Sequence, residues 1–178
     1  MKARPTIVAA VLAVGAMAAF ALAKVSGPSV SDNALENRFT THRTDFEKLV
    51  SMSSEDKHLT RIAVDFTWLE DNVAWPRKDV GISQDRWNDY RQLFQKVGVS
   101  NGIIRHNNPT RVIFPIVSEG LVPAGAAKGL VYSEAPLTPV LKSLDKAPQR
   151  ELWDGPDHSH LLVYKPVEDH WYIYYERW

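Results

Sequence analysis

His158 and His160 flank Ser159 in a stretch rich in Pro and Gly, with Asp154 and Asp157 close by. Alternate residues of an extended chain point the same way, so the two imidazoles could address one cation, with a carboxylate supplying oxygen. Zinc asks for three or four such ligands, and two histidines with no identifiable third describe a solvated loop better. No metal is expected. His106, at the end of a strand beside Asn107 and Asn108, could orient a ligand or accept a proton, although a histidine alone specifies no reaction. Nucleophilic catalysis finds little support. The chain has no cysteine and no Gly-x-Ser-x-Gly elbow, and Ser118, Ser133 and Ser143 lie in no activating context. Glu70 and Asp71 are adjacent and diverge in an extended chain, whereas acid–base work needs carboxylates across a shared gap. Gly120, Gly125 and Gly129 lack the spacing of a phosphate-cradling loop, and no cofactor is expected.

Aromatic side chains offer a different chemistry. Trp75-Pro76-Arg77-Lys78 sets an aromatic face beside two cations, a combination suited to holding a ligand. Most other rings are expected in the core, where each can bury about 150–250 Å². The candidate ligand-binding residues are therefore Trp75, Arg77, His106, His158 and His160.

The elements that carry these residues follow from periodicity. Asn33 with Glu36, and Thr44 with Glu47, have capping-box spacing, and Phe46, Leu49 and Val50 share a face; two short helices or one kinked helix is expected over 33–52. Arg61–Leu69 alternates apolar and polar residues as a strand with one buried face does. Residues 70–81, polar and broken by Pro76 and Gly81, read as a loop of the length that often serves function. The helix over 84–97 has Ser83 as cap, Asp85 in its first turn and Gly98 as its stop, with Trp87, Tyr90, Leu93, Phe94 and Val97 in one stripe. Short strands are expected at 102–105, 111–118 and 127–133, a helical turn or two at 137–144, and a final hairpin of 161–165 with 171–175. Apolar residues on both faces of the last strand suggest a central place in the sheet. Helices first and mostly antiparallel strands after give an α+β fold, a sheet covered by one amphipathic helix and a helical N-terminal segment.

Composition sets the compartment and the partners. Lys2 and Arg4 precede 18 uncharged residues ending in Ala21-Leu22-Ala23, the three parts of a secretory signal. The rival reading is a retained membrane anchor, which the eight alanines of that run weaken. Residues 1–23 are thus expected to be a signal peptide, 24–32 a flexible leader and 33–178 one domain. Without Lys2 and Arg4 the chain carries 19 basic against 21 acidic residues, which gives no long-range pull toward phosphate backbones; nucleic acid is not an expected partner, and a membrane is one only if residues 1–23 stay uncleaved.

Three blocks, Asp65–Pro76, Ser83–Gly98 with its Trp87-Asn88-Asp89-Tyr90-Arg91, and Tyr164-Lys165-Pro166 with Asp169-His170-Trp171-Tyr172, resemble a family of small exported proteins of Gram-negative bacteria. The resemblance implies export and a single domain and brings no activity, ligand or catalytic residue. The expectation is a periplasmic or cell-envelope domain that binds a partner protein or an envelope ligand without catalysis. The alternatives are a hydrolase built on His106 or the His158/His160 pair, and an inhibitor or immunity-type protein.

Overall fold

A computed structural model describes residues 30–69, 72–77, 81–121, 124–146 and 160–178; for 72–77, 121 and 124 it describes the backbone alone. The signal and most of the leader lie outside these residues, as do Trp153, Asp154, Asp157 and His158. Helix α1 (Asp32–Glu55) starts where Ser31 Oγ accepts from Ala34 N at 3.2 Å. The cap is thus Ser31 and not Asn33. Its backbone kinks at His42, directly after Thr40 and Thr41 donate their hydroxyls to the carbonyls of Glu36 and Asn37. Such back-bonding to the preceding turn bends helices. Leu35, Phe39, Phe46, Leu49 and Met52 all face the core.

Helix α2 (Gln84–Val97) forms as expected, with Ser83 Oγ capping Arg86 N and Gly98 stopping it at φ +70°, where a side chain would be strained. Its stripe of Trp87, Tyr90, Leu93, Phe94 and Val97 is buried, and Trp87 Nε1 donates to Ala63 O at 2.8 Å. Both helices lie on one face of an antiparallel sheet of eight strands in the order β3-β2-β1-β4-β5-β6-β8-β7. The strands are β1 (Leu59–Ile62), β2 (Thr67–Leu69), β3 (Asn72–Arg77), β4 (Ile103–Asn107), β5 (Thr110–Leu121), β6 (Ala124–Ser133), β7 (Leu161–Glu168) and β8 (Trp171–Arg177). Beneath the helices Phe39, Phe46, Phe114 and Trp171 form one aromatic cluster with neighbouring ring centroids 4.8–6.1 Å apart. Strand β8 lies between β6 and β7, the interior place its two apolar faces suggest. The fold is α+β.

Three local expectations need correction. The alternating run 61–69 is two strands, because Ala63 N bonds Phe66 O at 2.8 Å and reverses the chain. The expected loop at 70–81 contains β3, which pairs with β2 at the sheet edge; Pro76 is tolerated there because an edge strand has one row of backbone groups unpaired. Residues 137–144 are an irregular segment with bends and one bridge at Val140, not helical. They form a strap whose Pro139 O accepts from Tyr164 N (3.0 Å) and whose Leu141 N donates to Tyr164 O (2.8 Å), on the outer side of β7.

The strap ends in a buried ionic knot. Lys128, 1 % exposed, reaches Asp32 Oδ1 at 2.8 Å and Asp145 Oδ1 at 2.9 Å. Asp32 Oδ2 in turn accepts from Leu144 N and Ser143 Oγ, joining the first turn of α1 to the strap and to β6.

One irregularity shapes the sheet. Pro115 pairs with Gly129 and Val117 with Lys128, so Ile116 is an extra residue, a bulge that bends β5. Gly129 allows the close approach: a Cβ there would stand 2.1 Å from Phe114 O. The bend shows in side-chain contacts. Arg111 is registered with Ser133, and Tyr164, through Tyr174, with Gly129, four residues away on β6 and three strands across. On a flat sheet the two backbones would be about 19 Å apart, from ~3.3 Å per residue and ~4.8 Å per strand. Yet Arg111 Nη1 donates to Tyr164 Oη at 3.3 Å. The sheet is curled, with its concave side away from the helices.

A candidate binding cavity on the concave face

That concave side holds a cavity of about 360 Å³. Its apolar wall is Ile104 of β4, Ile113 of β5, Val131 of β6 and Leu162 of β7. Its polar groups lie on the same face: His106 of β4, Arg111 of β5, Tyr164 of β7, and Tyr174 and Glu176 of β8. Leu137 of the strap packs beside it against Val131, Tyr164 and Tyr174.

The electrostatics follow from partial burial. Burial pushes both phenols up, with Glu176 adding to the effect and a nearby guanidinium opposing it: Arg111 at Tyr164 and Arg61 at Tyr174. Both are therefore neutral hydroxyls at physiological pH. His106 pairs with Arg111 across the β4–β5 ladder. Although it stands at the exposed mouth, desolvation on its inner side and the Arg111 charge hold its imidazole below the usual value, Glu176 opposing. His160 Nε2 lies 3.0 Å from Glu176 Oε1, half in solvent. Arg61 of β1 is registered against Ile104 and so faces the same side. Its guanidinium sits 5.6 Å from the Phe66 ring centroid and 5.8 Å from that of Trp68, and donates to Asn101 O at 3.2 Å.

The candidate residues from the sequence distribute unevenly. His106 lines the cavity and His160 contacts its carboxylate, Glu176. His158 lies outside the described residues, as do the side chains of Trp75 and Arg77, whose backbone belongs to β3. No serine converges with these histidines among the described residues; Ser133 Oγ donates to Ala135 O. Arg111, Tyr164, Tyr174 and Glu176 were not singled out from sequence. The available signal was polar residues spaced by two within otherwise apolar strands: Arg111 before Ile113, and Tyr172, Tyr174 and Glu176 along β8. Large exposed apolar residues among those described, Val64, Val140 and Trp178, stand on separate elements and make no single patch. No family model matches the chain, and no curated protein or solved structure matches it.

Proposed function

We propose that this chain is a non-catalytic binding domain that holds a small molecule on the concave face of its sheet. The supporting observation is the cavity itself: about 360 Å³, with an aliphatic wall and a few convergent polar groups. That is the size and lining of small-molecule sites, at the lower end of their range. The uncharged run at 6–23 supports placing this activity in the periplasm or cell envelope. A fragment screen by ¹H–¹⁵N NMR on the full chain tests the reading. Hits should shift the amides of Ile104, Ile113, Val131, Leu162 and Tyr174 together, and Val131→Trp, which fills the cavity, should abolish those shifts. Hits that ignore this group of residues, or that survive Val131→Trp, refute it.

The His160–Glu176 contact favours a second reading, a hydrolase in which Glu176 orients His160 as a general base. Turnover of p-nitrophenyl esters by the wild type that is lost in His160→Gln would establish it in place of simple binding.

A further inference from the structure

The unpaired donors on the concave face indicate what the cavity accepts. Among the described residues, the buried side-chain polar atoms without a hydrogen-bond partner are Asp32 Oδ1, Arg61 Nε, Trp68 Nε1 and Arg111 Nε. Asp32 Oδ1 has the Lys128 ammonium 2.8 Å away and is compensated by charge. The other three are all N–H donors, and all belong to the concave side. Arg111 lines the cavity, Arg61 is registered against Ile104 of its wall, and Trp68 is registered against Arg61. Native proteins seldom bury a donor unmet, because it loses water and gains nothing. A group of donors with no acceptor among them describes an acceptor that arrives from outside.

Arg111 narrows the chemistry. Its Nη1 is taken by Tyr164 Oη, which leaves the Nε edge, where two parallel N–H groups match the two oxygens of a carboxylate. The carboxylate already present, Glu176, is engaged by His160 and not by Arg111. Beside this cationic edge the wall is hydrocarbon, which suits a ligand with an apolar body.

We infer that the cavity binds a small carboxylic acid, its carboxylate on the Nε edge of Arg111 and its hydrocarbon against Ile113, Val131 and Leu162. This rests on the cavity being a binding site. Arg61 adds a second positive charge to the same face and favours an anion over a neutral acceptor.

Calorimetric titration of the full chain with octanoate, 1-octanol and octyl phosphate at pH 7 tests the inference. Octanoate should bind one site at least about tenfold more tightly than octanol, the contribution of a charge-assisted pair. Arg111→Met should remove that advantage, weakening octanoate about tenfold more than it weakens octanol. Arg111→Lys, which keeps the charge and loses the fork, should also weaken octanoate, and it serves if Met at this position fails to fold. Octanoate binding no tighter than octanol, equal weakening of both by Arg111→Met, or octyl phosphate binding tenfold tighter than octanoate would each overturn the carboxylate assignment. A fragment of other chemistry that binds, and is lost in Val131→Trp while octanoate fails, overturns this inference and leaves the binding reading standing. The absence of any ligand sensitive to Val131→Trp removes both.

Discussion

Replacing Lys128 with Met keeps the length of the side chain and removes the buried ammonium that faces Asp32 and Asp145 at 2.8 and 2.9 Å. Asp32, 3 % exposed, then holds a buried carboxylate without its main counter-charge. Breaking a buried pair in this way costs about 3–5 kcal/mol. The lower end applies, because Leu144 N and Ser143 Oγ still donate to Asp32 and Lys165 Nζ stands 3.5 Å from its Oδ2. A loss of about 3 kcal/mol in a domain of this size lowers Tm by about 6–12 °C. The pH dependence carries the sign. Burial alone would raise the Asp32 pKa, but the Lys128 hydrogen bond, the Leu144 N–H, the Lys128 charge and Ser143 together hold it below 3.8. In the wild type this stabilisation is complete above the unfolded value and is lost as pH falls through the folded one. In Lys128→Met burial prevails and the folded pKa rises, so acid relieves the variant while it weakens the wild type. Urea unfolding from pH 7 to pH 3 should therefore show the gap between the two narrowing with acidity. A gap that is constant with pH, or an unchanged Tm at pH 7, refutes the assignment of the cost to an uncompensated Asp32.

Two other outcomes follow from the packing and the cavity. Trp87→Ala, at a residue 2 % exposed, should cost about 3–5 kcal/mol in denaturant unfolding; an unchanged midpoint rejects the helix-on-sheet packing. In an NMR titration His106 should protonate below its ordinary 6.5, and Arg111→Met should raise the midpoint toward that value. Since its folded pKa is depressed, the contribution of His106 to stability is present above 6.5 and is lost as pH falls through that value toward the folded one. A midpoint above 6.5 in the wild type contradicts the description of the site.

The readable parts of this fold were those whose signals are local. Ser83, Asp85 and Gly98 bound α2 within one stretch of chain, and its apolar stripe needs no knowledge of the rest. The β7–β8 hairpin announced itself because the turn and both strands lie within the last 18 residues. The reversal at 63–66 did not, since neither Gly nor Pro marks it and the alternation of Ile62, Val64, Phe66 and Trp68 runs straight through. Strand β3 was hidden by Pro76, whose cost vanishes only at an edge. The cavity was illegible for a stronger reason. Arg111 and Tyr164 meet because of a bulge at Ile116 and a glycine at 129, and no local pattern states that the bulge and the glycine face each other. His106 and His160 drew notice as conspicuous residues; the fold gave each a neighbour, Arg111 and Glu176, that spacing along the chain could not.

The strap and the two edge prolines bear on how this protein meets others. A β-sheet that ends in bare backbone invites a stray strand to zip on, the first step toward fibrils or polymerisation through shared sheets. Here Pro76 lies in one outermost strand and Pro166 in the other, where the strap already occupies both backbone groups of Tyr164. Neither rim presents an unbroken ladder to a newcomer, so recruitment by strand addition is disfavoured at both ends of the sheet.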